Sequence, residues 1–321
     1  MKTSTISKSF FAVIISASLL TGLSSCKKFL EVEPVSSFGT DYVFSSGPNA
    51  LKALLGAYAE LTGDQGYGIR VSMYYPYDND LMMGQGGTPY PDNDRRDIAH
   101  FNVNSSNAQL SRPFNQLYSG VEKSNICIYN IPKMDGYANS SSIRRMHGEA
   151  LTLRAIFYLE LVRNWGDVPA QFLPSSVEGD LFKSKMDRDS IYDHLLDDLA
   201  LAETLVPWRS TVQNDERITQ GAVRALRARI ALYRGGYSLR QNGQVARGSN
   251  HMTYYQIAKD ECLAIMQSGE HQLNPSYQSV FMDYVAGKQH DPFGEIMLEV
   301  AMEGGRSEEH TSELQSRSVI S

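Results

Sequence analysis

The side chains best suited to chemistry lie in one irregular segment, residues 73–97, where glycine, proline and aspartate interrupt every helical or strand period. Tyrosines alternate there with aspartate, asparagine and arginine. A tyrosine ring can cover the apolar face of a sugar while polar side chains bind its hydroxyl groups. The segment is therefore predicted to bind carbohydrate, unless its tyrosines only pack the loop against neighbouring helices. The candidate contact residues are Tyr74, Tyr75, Tyr77, Asp78, Asn79, Asp80 and Tyr90.

Carboxylates in the same segment raise the alternative of a glycoside hydrolase, which needs only two of them about 5 to 10 Å apart. Asp78, Asp80, Asp92, Asp94 and Asp97 could supply such a pair, or could form turns by bonding to their own backbone. The chain has no HExxH, GxSxG, Walker or CxxC motif. The aspartates also lack the spacing of an EF-hand. We therefore predict a protein that is not an enzyme, with no catalytic residues, no metal and no cofactor.

The composition restricts the class of protein. The 321 residues are 42% hydrophobic and 21% charged, with a net charge of −6, which excludes a disordered chain. Three cysteines are too few for a disulfide scaffold. The acidic balance argues against nucleic acid as a partner, because phosphate binding needs clustered lysine and arginine. Tyrosine is in excess, with 18 residues against 12 Phe and 2 Trp, which suits a ligand that has both apolar and polar faces.

The N-terminus has the pattern of a bacterial lipoprotein signal. Lys2 and Lys8 form a basic region, and the apolar run over residues 10–20 is too short to span a membrane. Residues 23–26, Leu-Ser-Ser-Cys, have the form of a lipobox, in which the Cys26 thiolate receives the lipid. We predict that residues 1–25 are removed and that Cys26 anchors the protein. The absence of an aspartate after Cys26 favours the outer membrane; the alternative is an ordinary signal peptide with an incidental cysteine.

Helical periodicity covers residues 51–61 and dominates the chain from Leu110 onward, and we predict an all-α fold of antiparallel helix pairs with long irregular loops and minor β-structure. Each of six helices has an apolar face with i, i+3, i+4 spacing and is bounded by capping or breaking residues. The residues predicted to lie on the inward faces of these helices are Leu51, Leu54, Leu55, Tyr58 and Leu61; Phe114, Leu117, Tyr118, Val121, Asn125 and Ile128; Met146, Ala150, Leu153, Phe157 and Leu161; Ile191, Leu195, Leu199 and Ala202; Ala222, Leu226, Ile230 and Tyr233; and Ala258, Cys262 and Ile265.

Further predictions concern caps and single side chains. Ser141 or Ser142 is expected to cap the third helix, and Asp189 or Ser190 to start the fourth. Thr219 and Thr253 are expected to cap the fifth and sixth helices, and their 34-residue separation is the period of a tetratricopeptide unit. Residues 294–301 alternate like a strand, and both remaining cysteines are expected to be buried free thiols. The cysteines are Cys127 and Cys262, and the arginines expected mostly on the outer face of the fifth helix are Arg224, Arg227, Arg229 and Arg234.

The stretch Trp-Gly-Asp-Val-Pro at residues 165–169 indicates the end of the third helix. Gly166 can adopt the left-handed conformation that ends a helix, and Pro169 prevents the helix from continuing. Trp165 is expected to pack on the helix end as a structural lid.

Several stretches, in order, resemble one family. Residues 26–30, Cys-Lys-Lys-Phe-Leu, followed by Pro34, look like the start of a SusD/RagB-type lipoprotein after lipidation. Residues 149–169 resemble the most recognisable block of that family, and residues 190–203 and 219–233 resemble the two helices that follow it. The chain is thus similar, over residues 26 to about 301, to the surface glycan-binding lipoproteins of Bacteroidota.

This resemblance implies a SusD-like fold and a function. Proteins of this family capture oligosaccharides or other nutrients at the cell surface and pass them, without turnover, to a SusC-like TonB-dependent outer-membrane transporter. Their ligand contacts come partly from loops after the first helix, which is the position of Tyr74 to Tyr90. The partners implied are therefore this transporter, an oligosaccharide and the outer membrane, with no nucleic acid. A surface glycoside hydrolase and a helical-repeat scaffold lipoprotein are the alternatives.

The resemblance also divides the chain. Residues 1–25 are predicted to be the lipoprotein signal peptide, and residues 26–305 the N-terminal, tetratricopeptide-type helical region of the family fold. Proteins of the family are much longer, so the C-terminal part of that fold is expected to be missing. Residues 306–321 show neither a helical face nor strand alternation and resemble translated adapter sequence. They are predicted to be a non-native tail.

Overall fold

The computed structural model describes residues 39–74, 94–99, 101–212 and 217–301. The chain divides into two units, residues 1–40 and 41–321, and nearly all of the described residues belong to the second. The predicted signal peptide, the lipobox with Cys26 and the tail from Arg306 lie outside the described residues. These three assignments stay predictions.

The described residues are mostly helical, which confirms the all-α prediction. Two short antiparallel ribbons supply the minor β-structure: Val168 pairs with Met186, and Ser238 pairs with Ala246. The elements are α1 (Thr40–Val43), α2 (Gly47–Tyr58), α3 (Asp94–Ala99), α4 (Ala108–Asn130), α5 (Ser141–Trp165), β1 (Val168–Pro169), β2 (Lys185–Met186), α6 (Arg188–Leu205), α7 (Gln220–Gly235), β3 (Ser238–Leu239), β4 (Val245–Ala246), α8 (His251–Ser268) and α9 (Tyr277–Ser279). Residues 70–74 and 280–285 are π-helical, and short 3₁₀ turns cover residues 59–61, 131–133 and 209–211.

The first long helix, α2, begins where the turn-rich sequence predicts. Ser46 is extended, and Pro48 lies in the first turn, where its missing N–H has no intrahelical partner to lose. Leu54 and Leu61 are fully buried, as predicted, together with Ala50 and Ala57. The buried face of α2 thus includes small residues that bring its backbone close to α4.

Helix α5 is the centre of the core, and it begins one residue earlier than predicted. Its cap is Ser140, whose hydroxyl accepts a hydrogen bond from the backbone N–H of Ile143 (3.3 Å). Every residue from Arg145 to Val162 is buried, including the polar ones. The predicted apolar face is therefore correct but incomplete, because neighbouring elements cover α5 on all sides.

Gly166 ends α5, as predicted, but not in the left-handed helical conformation. Its φ of 75° is combined with a ψ of −129°, a region that is essentially restricted to glycine. A Cβ atom at this position would also lie 2.6 Å from Nη2 of Arg188. Trp165 packs edge-on against Phe114, with ring centroids 5.2 Å apart, which confirms its place at the helix end.

Successive long helices pack in antiparallel order, as predicted. At one end of the α4–α5 pair Phe114 contacts Trp165, and farther along Asn125 accepts a hydrogen bond from Arg154. Arg188 at the start of α6 binds Asp167, just after the end of α5. The starts of α4, α6 and α8 and the ends of α5 and α7 therefore lie at one end of the bundle, which we call the α5 C-terminal end.

The prediction that the arginines of α7 point mostly outward is wrong for three of the four. Arg234 is only 7% exposed and binds Asp189 and Asp193 of α6. Arg224 lies between Glu203 of α6 (3.1 Å) and Glu261 of α8 (2.7 Å). Arg227 also binds Glu261, which leaves Arg229 alone as exposed. The reason is that α6 and α8 flank α7 on both sides, so its lateral positions face other helices.

The prediction that Tyr233 of α7 and Cys262 of α8 face the core is also wrong. Tyr233 is 42% exposed, because Arg234 occupies the inward position in the last turn of α7. Cys262 is exposed, and its neighbour Glu261 is buried in its place. Pairing of Glu261 with two arginines of α7 sets which face of α8 is buried.

The start of α8 and the C-terminal strand also differ from the predictions. Asn250, not Thr253, occupies the N-cap position of α8, and its side chain makes no capping hydrogen bond, so the 34-residue spacing does not relate two helix caps. The sequence of residues 294–301 alternates like that of a strand, but these residues form no strand in the described part of the chain. No strand among the residues that the structure describes pairs with them, and Met297, Leu298 and Val300 instead pack partly on the core.

The two cysteines in the described residues are free thiols, as expected. Cys127 is buried, as predicted, and burial raises its pKa to about 12. The prediction that Cys262 is also buried is wrong, for the reason given above.

We expect Gly166→Ala to destabilise the protein. Alanine cannot easily adopt the Gly166 backbone conformation, and its methyl group would displace Arg188. The expected loss is about 1–3 kcal/mol of unfolding free energy, measured by urea denaturation. Gly179→Ala is the matched control, since no atom lies within 4 Å of its Cβ position. Equal stabilities of the two variants would contradict this account.

We expect His147 to make the protein less stable in acid. Its Nδ1 is bonded to the Tyr137 hydroxyl (2.7 Å), and burial, helped by Arg154, lowers its pKa to about 4. In the unfolded chain a histidine has a pKa of about 6.5 and therefore binds a proton more readily than folded His147 does. The free energy of unfolding consequently falls as the pH drops from about 6.5 towards about 4. Between pH 7 and 4.5, the free energy of unfolding measured by urea denaturation should fall by about 2 kcal/mol less in His147→Gln than in the natural protein. Parallel pH profiles would refute this assignment.

Candidate functional site

The predicted ligand-binding residues lie almost entirely outside the described residues. Tyr75, Tyr77, Asp78, Asn79, Asp80 and Tyr90 belong to residues 75–93, which are not described. Tyr74 is the last residue of the π-helix Arg70–Tyr74, and its side chain is also outside the description. The structure therefore shows how the two ends of this segment are held, and the contact residues themselves stay predictions.

The N-terminal end of the segment is held through Arg70, which is 2% exposed. Its guanidinium forms an ion pair with the Asp64 carboxylate and donates to the Asp64 backbone carbonyl (3.1 Å). Its Nε donates to Oε1 of Gln109 in the first turn of α4 (2.9 Å). Just before it, the Tyr67 hydroxyl donates to Glu160 of α5 (2.8 Å). This end of the segment is thus tied to both α4 and α5.

The C-terminal end of the segment is held by Asp94, the first residue of α3. Its carboxylate accepts from the backbone N–H of Ala108 (2.9 Å), at the start of α4. Its backbone carbonyl accepts from the side chain of Asn107 (2.8 Å), which also caps α4 through the N–H of Gln109 (2.9 Å). Ile98 is buried on the same element. Both ends of the segment therefore meet at residues 107–109.

We call these five residues, Asp64, Arg70, Asp94, Asn107 and Gln109, the Arg70 clamp. The clamp lies at the start of α4, which is at the α5 C-terminal end of the bundle. Arg70 and Asp94, which lie on either side of the undescribed residues 75–93, are consequently tied to the same turn of α4.

The polar residues of the block at 149–158 have structural roles. Glu149 is fully buried and binds Arg145 and Arg217, each at 2.8 Å. The Tyr58 hydroxyl donates to Glu149 (2.9 Å) and accepts from the backbone N–H of Ile218 (3.0 Å). Burial and the adjacent carboxylate raise the pKa of Tyr58 well above its usual value, so the phenol remains a donor. This cluster joins α2, α5 and the start of α7.

Arg154 has an equivalent role farther along α5. It binds both carboxylate oxygens of Asp198 on α6 (2.8 Å and 3.0 Å), Oδ1 of Asn125 on α4 and the carbonyl of Phe172, the last two at 2.9 Å. Tyr158 holds the same loop, because its hydroxyl bonds to both the N–H and the carbonyl of Gln171. Periodicity gave no signal for these pairings, which join residues that are distant in sequence.

A cleft of about 640 Å³ lies at the opposite end of the bundle, beside the start of α7. None of the predicted ligand-binding residues lines it. Its arginines are engaged elsewhere, since Arg209 donates to the carbonyls of Glu270 and Asp291 and Arg217 binds Glu149. Nδ1 of His271, another lining residue, is bonded to the carbonyl of Gly294 (2.7 Å). These contacts stabilise the loops around the cleft.

Two features are absent from the described residues. They contain no group of three or more His, Cys, Asp or Glu side chains that could hold a metal ion. None of their helices combines the length and the apolar character needed to cross a membrane.

Comparisons with known proteins agree with the resemblance seen in the sequence. A family model, SusD-like, described as starch-binding associating with outer membrane, matches residues 28–232. A SusD-like protein of Formosa agariphila is 22% identical over 277 residues, which are 84% of this chain and 48% of that protein.

Solved structures show the same fold. A SusD homologue from Bacteroides thetaiotaomicron superposes with a TM-score of 0.65 at 21% identity, over 76% of this chain and 45% of that chain. A laminarin-binding SusD-like protein superposes with a TM-score of 0.56 at 21% identity, over 73% of this chain and 48% of that chain. The chain thus spans about half the length of these relatives. Because the family model covers more than half of its residues, the chain belongs to the SusD-like family.

Proposed function

We propose that this chain is part of a surface lipoprotein that captures oligosaccharides and passes them to a SusC-like TonB-dependent outer-membrane transporter. The family description, starch-binding associating with outer membrane, supports a carbohydrate ligand. The fold shared with a laminarin-binding protein is consistent with it. The proposal rests on the tyrosine-rich sequence of residues 74–90. It is supported by the Arg70 clamp, which ties Arg70 and Asp94, on either side of the undescribed residues, to the start of α4.

The proposed mechanism is binding without turnover. Tyr74, Tyr75, Tyr77 and Tyr90 would cover the apolar faces of sugar rings, while the Asp78–Asp80 stretch binds hydroxyl groups. Each stacking contact contributes about 0.5–1.5 kcal/mol beyond the burial of apolar area, so several contacts along one chain of sugars are needed for useful affinity. Capture of this kind raises the ligand concentration at the transporter.

The proposed membrane attachment uses the lipid on Cys26. Each buried CH₂ group of an acyl chain contributes about 0.8 kcal/mol to anchoring, so a multiply acylated cysteine holds the protein at the membrane without a spanning helix. The residues between Cys26 and α1 would then act as the tether.

We expect Tyr74→Ala and Tyr77→Ala each to weaken polysaccharide binding about two- to tenfold, the loss of one stacking contact. The measurement is affinity electrophoresis in gels that contain starch or laminarin. Tyr277→Ala is the matched control, because Tyr277 is 77% exposed and lies far along the chain from the segment. Equal retardation of all three variants and the natural protein would count against the segment as the binding site.

The same preparations separate binding from hydrolysis. A binding protein should release no new reducing ends from these glycans. Hydrolysis that disappears in Asp78→Asn or Asp80→Asn would replace the binding proposal with the glycoside hydrolase alternative.

We expect Cys26→Ser to release the protein from the membrane fraction and to abolish incorporation of labelled palmitate, because the serine hydroxyl is not the thiol that the lipid transfer uses. The natural protein should also be cleaved by protease added to intact cells. Full protection of the natural protein on intact cells would favour the periplasmic scaffold alternative.

A further inference from the structure

We propose that Glu203 of α6 and Glu261 of α8 share one proton in mildly acidic surroundings, and that this proton tightens the attachment of α8 to the bundle. The two carboxylates meet at a single nitrogen atom. Nη1 of Arg224, on α7, lies 3.1 Å from Oε2 of Glu203 and 2.7 Å from Oε2 of Glu261. This contact is separate from the proposed ligand-binding segment and does not depend on the proposed function.

Helix α8 is attached to the bundle by few buried side chains. Of its 18 residues only Ala258, Glu261 and Ile265 are buried, and Tyr254 and Ile257 add partly buried contacts with the core. Two buried apolar side chains are few for a helix of about five turns, whose stability comes mainly from packing. The polar contacts of Glu261 therefore supply a large share of the attachment.

The two glutamates have unequal hydrogen-bonding partners. Glu261, whose side chain is 5% exposed, accepts from Arg224 (2.7 Å) and from Arg227. Oε2 of Glu203 is buried and accepts no hydrogen bond from the described residues, although Arg224 lies within ion-pair distance. A buried carboxylate oxygen without a donor is costly, and a proton on it removes the charge and supplies a donor. Glu203 is therefore the member that takes up the proton, and Glu261 accepts from it.

The charges around Glu203 favour the same assignment. The charged groups that face it are Arg224 and Arg227 of α7 and Glu261 of α8. Both arginines also bind Glu261, so Glu203 has only a share in them. Burial, and after it the charge of Glu261, raises the pKa of Glu203 above its usual value. The folded protein thus binds this proton more tightly than the unfolded chain, and the resulting stability is present in acid and lost as the pH rises through the raised pKa.

The two protonation states hold α8 differently. When both carboxylates are ionised, Glu203 and Glu261 repel each other and compete for Arg224. When Glu203 takes a proton from solvent, its carboxyl donates to Glu261, which adds a bond between α6 and α8 and leaves Arg224 to Glu261. Acid therefore tightens α8 at this contact, whereas it destabilises the protein at His147.

The test follows the opening of α8 by hydrogen exchange between pH 7 and 4.5, in the full chain, with mass spectrometry of the α8 peptides and correction for the intrinsic effect of pH. In the natural protein the opening constant of α8 should fall as the pH drops, by about tenfold for each unit by which the pKa of Glu203 is raised. In Glu203→Gln, whose amide mimics the protonated carboxyl, it should already be low at pH 7 and should lack this fall. The difference between the two proteins isolates the pair, because both contain His147.

A carbon-13 NMR titration of the natural protein, with the glutamate carboxyls assigned through the backbone, measures the proton directly. The Glu203 carboxyl should titrate above the usual range of glutamate, about 4.3. This measurement needs no variant, so it decides the matter even if Glu203→Gln does not fold.

Asp193→Asn is the matched control. Asp193 also lies on α6 and binds a buried arginine of α7, but through Nε and Nη2 of Arg234, while the second carboxylate, that of Asp189, uses Nη1. The opening of α8 in Asp193→Asn should keep the pH dependence of the natural protein. The same pH dependence in Glu203→Gln as in the natural protein, or a Glu203 carboxyl that titrates within or below the usual range, would overturn the proposal.

Discussion

The structure depends on the burial of α5 around its whole circumference. A helix buried on every side cannot place its polar residues towards solvent, so each of them must find a partner inside the bundle. Glu149 and Arg154 do so by binding residues of other elements: Glu149 binds Arg217 and Tyr58, and Arg154 binds Asp198 and Asn125. These charged contacts determine which helices can surround α5 and in which register. Removing one partner would leave a buried charge unpaired.

Ion pairs between neighbouring helices also join the helices that follow α5. Arg234 joins α7 to α6, and Glu261 joins α8 to α7. Each helix is therefore positioned mainly by the one before it, as in repeat proteins, whose units contact chiefly their neighbours. The result is a stiff support with the ends of alternate helices at one end. The Arg70 clamp lies at that end, at the start of α4.

Much of the fold could be predicted from apolar periodicity, because helix positions follow from local pattern. Buried residues such as Leu54, Leu199 and Ile230 were identified in this way. The exposed Cys262 was not, since the buried face of α8 is set by ion pairs with a different helix. For the candidate site, composition indicated the segment but not what holds it. Arg70 and Gln109 lie far apart in the sequence, and neither has a local pattern that marks a partner.

The contrast between the two thiols makes the protein convenient for spectroscopy. Burial keeps Cys127 protonated and inaccessible, whereas Cys262 is exposed on α8. A chain that begins after Cys26 has no other cysteine, so a maleimide dye attaches at one place without any engineered residue. That place lies on the last long helix. A single fluorophore there supplies one of the two dyes that a distance measurement by energy transfer needs.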